Sequence, residues 1–426
     1  MEEKVELKRA LGLFEVTLSG IGIILGAGIY ALIGEAAGLA GNAVWMAFAI
    51  SALVALFTGF SYAELSSMFP RASAEYEYTV QAFGRFLAFV IGWLITFSGV
   101  IGAATVALGF AGYFNALSGA PQVPSALILV ALLSAVIFAG IKQSAWVAIV
   151  FTVVEALGLV FIIILGIPSL GSVDYLEMPF GFSGVFRASA LIFFAFIGFE
   201  EIVKLSEEAK DPEKTIPRGL ILAISACIVF YVLVALCSVS ILGWQKLSQS
   251  AAPFADIAFA ALGQNAALII SVMALFATTN TVLLMLLAVS RIVYGMAESG
   301  SLPGKLSRVH PVTRTPWIAI LLSMGLCMAF VLLGDIVFVA NVNNFTVFVT
   351  FAVINAALIV LRYRRPDVSR PFRVPLSLGR LPMLPVLGII FNSFMLLQLS
   401  PKILAVGFGL TLLGGLAAIL NLHKSR

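Results

Sequence analysis

Two carboxylates stand where carboxylates are costly. Glu155 lies midway along the apolar run FTVVEALGLVF, and Glu200 follows FFAFIGF in another. An acid within a membrane span costs roughly 2.5–3.5 kcal/mol on insertion scales and by default faces the protein interior, where such groups mark ion or substrate pathways. A carboxyl group gains and loses a proton, which suits Glu155 to coupling proton movement to transport. A structural carboxylate, hydrogen-bonded to neighbouring helices, is the plainer alternative. Other chemistry has little to work with. The two histidines, His310 and His423, fall in a polar loop and at the tail, and Cys227, Cys237 and Cys327 sit within apolar runs without metal or disulfide spacing. No nucleophile–base pairing and no GxxxxGK[ST] pattern occurs, so neither an enzyme, an ATP-driven pump, a metal centre nor a bound cofactor is expected.

A second kind of chemistry needs no side chain. The stretch GIGIILGAGIY, residues 20–30, carries four glycines inside the first apolar run. Each glycine costs about 0.8–1 kcal/mol relative to alanine in a helix interior. A helix that stops and restarts here exposes unpaired N–H groups and a partial positive charge at the restart, near Gly26, Ala27 and Gly28. That is a place for a carboxylate. The half that stops leaves bare carbonyls near Ile23, acceptors for an ammonium group. The competing reading is close helix packing through small residues such as Gly22 and Gly26.

These groups must be held by membrane helices. The chain of 426 residues is 61% apolar and 11% charged, with mean hydropathy +1.09, whereas soluble domains carry about 25% charged residues. Apolar runs of about 20 residues, enough to cross a bilayer core, recur from Leu11 to Leu420. The expected fold is an all-α polytopic membrane protein with twelve spans, at residues 11–33, 43–66, 83–117, 124–141, 144–168, 185–205, 217–243, 264–297, 315–333, 336–362, 381–400 and 402–421. An even number puts both termini on one side. All of the 25 lysines and arginines except Arg187, Lys246 and Lys402 then fall on that side, which the positive-inside rule makes cytoplasmic. The basic run LRYRRPD (361–367) is read as part of this signal, and no nucleic-acid partner is expected. No cleavable signal peptide is expected before the first span.

The first break has a counterpart. FFAFIGFEEIV (193–203) interrupts the sixth span, called helix 6 by span order, which runs opposite to the first, helix 1. Its stopping half leaves carbonyls near Phe194 and Ala195, with Ile197 in the gap. Paired interruptions in opposed halves point to an inverted-repeat transporter with its site at the midplane. The expected organisation is one transmembrane domain, residues 1–426, with a first repeat at 11–168, an inverted second repeat at 185–364 and additional helices at 381–421. Thr278 and Thr279, with helix 1 carbonyls, form a candidate sodium site, since hard cations take oxygen ligands. Asn341, Asn343 and Asn344 either line the outer pathway or bond to neighbours, the second being favoured. Residues 207–214 read as a solvated, mixed-charge link, with Pro212 and Pro217 keeping helices 6 and 7 apart.

In combination, GIGIILGAGIY, YAELSSMFPRASAEYEYTVQAFG (62–84), GIKQSAWV (140–147), FFAFIGFEEIVKLSEEAKDPEKTIPRG (193–219) and SRIVYGMAESGSLPGKLSRVHP (290–311) resemble the amino acid–polyamine–organocation superfamily of secondary transporters, nearest the prokaryotic relatives of cationic amino acid transporters. The resemblance implies a leucine-transporter-like fold of five helices, an inverted five, and two more. It implies the substrate carboxylate on the backbone of Gly26–Gly28 and the α-amine on carbonyls of Ile23, Phe194 and Ile197. It further implies that Phe194 covers the substrate from outside, although ordinary core packing also accounts for a phenylalanine there, and that Glu200 is an inner-gate acid. The position of Glu155 resembles one held in several relatives by a lysine associated with proton coupling; here the charge is opposite.

The expected function is secondary active transport of amino acids across the cytoplasmic membrane by alternating access. Proton coupling is favoured over sodium, and neutral amino acids over cationic ones or polyamines, which lack a carboxylate. An exchanger is the alternative mechanism. A channel would want a continuous polar stripe, and a non-transporting amino acid sensor is disfavoured by the short termini.

Overall fold

The computed structural model describes residues 11–70, 74–140, 144–298 and 302–424. Lys4, Lys8, Arg9, Arg71, Lys142 and Arg426 of the charge pattern, and 71–73, 141–143 and 299–301 of the quoted motifs, lie outside the described residues. The chain is a helical bundle: α1 Leu13–Ile24, α2 Gly28–Ala40, α3 Val44–Met68, α4 Ala74–Phe83, α5 Arg85–Ser118, α6 Gln122–Ala139, α7 Ser144–Gly166, α8 Gly181–Ile192, α9 Pro212–Ser248, α10 Pro253–Leu262, α11 Gln264–Glu298, α12 Trp317–Val331, α13 Ile336–Arg364, α14 Met383–Leu397 and α15 Pro401–Lys424. One small hairpin, β1 Ser377–Leu378 with β2 Leu381–Pro382, precedes α14. Nine helical segments among the described residues are long and apolar enough to cross a membrane. The protein is therefore a multi-pass helical membrane protein, as its composition requires.

Helices occupy every expected span, with instructive differences. The first apolar run extends to Ala40, because Gly41, at φ 71°, is what ends the helix. Two helices, α4 and α10, fall outside the expected spans. Gly84, at φ 90°, divides α4 from α5. Gly243, at φ 71°, kinks α9 near its end. Pro212 opens α9, where its fixed φ suits the first helical turn, but Pro217 lies inside that helix rather than before it. The link after helix 6 is also more than a solvated connection. Leu11 N–H donates to the Glu208 carbonyl at 3.0 Å, and Lys210 N–H donates to the Leu11 carbonyl at 2.8 Å. This short parallel bridge ties the start of α1 to the end of helix 6.

The core runs through the whole bundle. α3 lies along α9, and α5 lies between α11 and α13. One buried ion pair fastens one end: Arg362 of α13 forks onto Glu64 of α3, with Nε to Oε1 at 2.9 Å. Val374 N–H donates to the same carboxylate at 2.7 Å, and Arg370 Nε lies 3.4 Å from it.

Candidate functional site

Both anticipated interruptions are present. α1 ends at Ile24, Leu25–Ala27 form a turn, and α2 begins at Gly28. The second is more irregular. α8 tightens into a 3-10 turn over Phe193–Phe196, Ile197 is extended, and Gly198 takes φ 122°. A 3-10 helix over Phe199–Glu207 follows, far longer than the usual three or four residues. Such backbone is tolerated at membrane depth where protein buries it or it lines a cavity.

The two breaks meet. A Cβ at Gly28 would lie 2.9 Å from Ala195 Cα and 3.1 Å from Phe194 Cδ1, and one at Gly198 would lie 3.1 Å from the Ile23 carbonyl oxygen. Glycine is required at both for the backbones to approach. The carbonyl ends are held from outside: Tyr231 of α9 places its hydroxyl 2.5 Å from Ile24 O and 2.9 Å from Ala195 O.

A cavity of about 330 Å³ opens beside the junction. From the breaks it takes Gly22, Ile23, Gly26, Ile197 and Gly198. From α7 come Thr152 and Glu155; from α11, Asn280, Thr281, Leu284 and Met285; from α13, Asn343, Val347, Thr350 and Phe351. It continues past Ser98 of α5 to Tyr62, Glu75, Glu200 and Glu201. The Glu201 side chain is 43% exposed, so this end reaches the surface. The other side of the breaks is closed. Tyr30 packs edge-on against Phe254 at 4.9 Å, and a Cβ at Gly112 would lie 2.4 Å from the Ala251 carbonyl.

The structure thus divides the residues singled out from sequence. Ile23, Gly26, Ile197, Glu155 and Glu200 face the cavity. Ala27, Gly28, Phe194 and Ala195 are buried where the breaks pack together, outside its lining. Gly26 is open: a Cβ there would meet nothing nearer than its own Ile23 carbonyl at 3.6 Å. Glu155 is buried, and its Oε1 has no hydrogen-bond partner among the described residues. Its backbone carbonyl accepts from Tyr30 Oη at 2.7 Å, which fixes α7 against α2. Glu200 accepts locally, from Gly198 N–H at 2.9 Å, and so caps the restart of helix 6. Thr278 and Thr279 are not in the lining. The Thr278 hydroxyl donates to Ala274 O at 2.7 Å, within its own helix, and the next residues, Asn280 and Thr281, face the cavity instead.

Tyr62, Glu75, Asn280 and Thr281 were not among the site residues read from sequence, and Asn343, expected to bond to neighbours, lines the cavity with neither amide atom paired among the described residues. A helical stripe was the available signal. Asn343, Val347, Thr350 and Phe351 recur at the spacing of one helix face, as do Asn280, Thr281, Leu284, Met285, Ala288 and Val289. Nothing in the sequence says which face of an apolar helix meets a cavity rather than lipid.

A multi-pass helical bundle with two broken helices meeting at a mostly apolar cavity dotted with polar groups is the architecture of a solute carrier. The chain belongs to the amino acid permease family, whose model matches residues 11–413. It is 33% identical to a branched-chain amino acid permease of Bacillus subtilis, over 92% of this chain and 89% of that protein. It is also 33% identical to a methylthioribose transporter of the same organism, over 90% of this chain and 86% of the relative. Similarity extends to the cationic amino acid transporter 4 of Mus musculus, 32% identical over 85% of this chain and 61% of that protein. Family and relatives are permeases and transporters, not enzymes.

Proposed function

We propose that this chain is a proton-coupled secondary transporter of neutral amino acids, working by alternating access in the cell membrane with both termini cytoplasmic. Twelve spans, arranged as repeats at 11–168 and 185–364 with two further helices at 381–421, form its single domain. The observation that carries the reading is the cavity at the two breaks, where the half-buried turn at Gly26 and the carboxyl group of Glu155, whose Oε1 has no partner among the described residues, face one space. Its volume, about 330 Å³, is that of a small-molecule pocket.

In this mechanism the cavity-facing Gly26 of the turn takes the substrate carboxylate, with Ala27 and Gly28 buried behind it, and carbonyls near Ile23 and Ile197 take the amine. Phe194 and Ala195 shape the second break behind them. Glu155 carries the proton. Glu200 acts at the gate by holding the restart of helix 6. The cavity end bearing Glu75 and Glu201 is the cytoplasmic one, so this conformation faces inward. Thr278 is engaged with its own helix, which favours a proton over sodium.

The test is uptake of labelled amino acids into proteoliposomes, with and without an inward proton gradient at fixed sodium. Gradient-stimulated uptake of neutral amino acids that disappears in Glu155→Gln is the expected result. Uptake indifferent to the gradient but raised by internal substrate would make the protein an exchanger and Glu155 structural. Methylthioribose, the compound named for one relative, belongs in the same panel, and its uptake in place of amino acids would overturn the substrate assignment.

A further inference from the structure

We infer that Asn343 reads the substrate's side chain, and that the preferred substrates carry a neutral hydrogen-bonding group there. The inference deepens the amino acid transport proposed above and rests on it. Asn343 is 1% exposed, lines the cavity, and has no hydrogen-bond partner at Nδ2 or at Oδ1 among the described residues. Asn344, unpaired only at Oδ1, and Asn355 of the same helix do have partners for their amide nitrogens. Asn344 donates to Ala190 O at 2.7 Å and Leu191 O at 2.9 Å. Asn355 donates to Phe351 O at 2.8 Å and Thr58 Oγ1 at 3.0 Å, and accepts from Ser61 at 2.6 Å. A buried amide with neither end paired is costly, and native folds rarely keep one without a use.

The site around it is built. Asn344 grips the last carbonyls of α8, so the adjacent Asn343 is held in fixed register beside the second break. Gly102 of α5 makes room: a Cβ there would lie 3.2 Å from Met285 Sδ and 3.7 Å from Asn343 Nδ2. The amide therefore sits where α5, α11 and α13 converge, beside an otherwise apolar wall of Met285, Leu284 and Val347. An asparagine amide offers two N–H donors and one acceptor and no charge. A hydroxyl or carboxamide on the substrate satisfies it. An aliphatic group of the same size covers it and leaves it unpaired.

The experiment is competition for uptake in proteoliposomes by shape-matched pairs, threonine against valine and glutamine against methionine. Wild type, Asn343→Leu and Asn343→Ala are compared, alongside thermal unfolding of each without substrate. In wild type the polar member of each pair is preferred at least about tenfold in kcat/KM, as expected where a site's own polar group would otherwise go unpaired. Asn343→Leu flattens that preference and raises the unfolding temperature, because it removes an unsatisfied buried amide. Asn343→Ala flattens the preference as well, and serves if the leucine variant does not fold. Amino acid uptake without discrimination in wild type, or discrimination that survives both substitutions, overturns the inference while leaving amino acid transport standing. A fall in unfolding temperature for Asn343→Leu also overturns it, since the amide would then be holding the fold together. Absence of any amino acid uptake by wild type overturns both.

Discussion

The hydroxyl of Tyr231 lies within hydrogen-bond reach of two carbonyls that belong to different broken helices, Ile24 at 2.5 Å and Ala195 at 2.9 Å. One side chain from the longer helix α9 thus stitches both interruptions. Each carbonyl belongs to a helix end, where no intrahelical N–H reaches it. The ring is itself packed against Phe48 at 5.7 Å and edge-on against Phe196 at 5.1 Å, so the hydroxyl has little freedom to go elsewhere.

Tyr231→Phe keeps the ring and removes the stitch. It removes the single O–H that two buried carbonyls share, which should cost about 1–3 kcal/mol of stability. Thermal or denaturant unfolding in detergent measures this. An unchanged midpoint would mean that the carbonyls find other donors and that the breaks are held by packing alone.

The glycines of GIGIILGAGIY separate into different roles, and substitution distinguishes them. Alanine at Gly28 would put its Cβ 2.9 Å from the Ala195 backbone and force the breaks apart, an overpacking cost of about 1–3 kcal/mol. Alanine at Gly26 meets only its own turn, at 3.6 Å and beyond, so stability should change by no more than about 0.5 kcal/mol. Its methyl group would nevertheless enter the cavity, and uptake should fall. Paired unfolding and uptake measurements on the two variants check this. Equal destabilisation by both would erase the distinction.

The same four glycines show what the sequence could and could not convey. Their crowding within an apolar run was readable as a break, since a helix does not gather its poorest formers without a reason, and FFAFIGF was readable as its partner. Which glycine faces a ligand and which faces another helix was not, because close packing and ligand access demand the same residue. Glu155 stood out because a charge in an apolar run is conspicuous. Asn343 stood among three asparagines of equal prominence, and only the fold shows that it is the one lining the cavity, with both amide atoms buried and unpaired among the described residues. Thr278 and Thr279 looked like ion ligands by type, yet a shift of one or two residues turns a helix face, and Asn280 and Thr281 take the cavity instead. The bridge from Leu11 to residues 208–210 is made by backbone atoms and left no trace in residue types.

Glu64 and Arg362 form an ion pair that joins α3 to α13, and both side chains are at most 9% exposed. Removing Glu64 strands Arg362 in a low dielectric, so Glu64→Gln should destabilise by about 3–5 kcal/mol, and Arg362→Met by less, since Arg370 Nε stays 3.4 Å from Glu64. Replacing both at once should cost less than the sum, because neither charge is then left alone. A double-mutant cycle on unfolding midpoints measures the coupling. Additive losses would show that the two groups contribute separately, through Val374 N–H and Ser377 rather than through each other.

Glu75 makes the stability of the cavity's open end depend on pH. It lies on α4, outside the spans, and is 4% exposed. Burial pushes its carboxyl up from the ordinary 4.5; Lys204 opposes that, and Glu201 adds to it. Tyr62 Oη is 3.4 Å away. A carboxyl whose folded pKa exceeds its unfolded one takes up its proton more readily in the folded state. Its contribution is full below the unfolded value and is lost as pH rises through the folded one. Stability of the wild type relative to Glu75→Gln should therefore decline as pH is raised above the ordinary carboxylate range, since the variant stays neutral throughout. Unfolding midpoints of the two proteins, measured from about pH 4 to about pH 9, give the difference directly, with the contributions of other groups cancelling. A constant difference would mean that Glu75 titrates alike in the folded and unfolded states, so that burial does not shift it. A relative stability of the wild type that rose with increasing pH would mean that Lys204 outweighs burial and holds the carboxylate ionised.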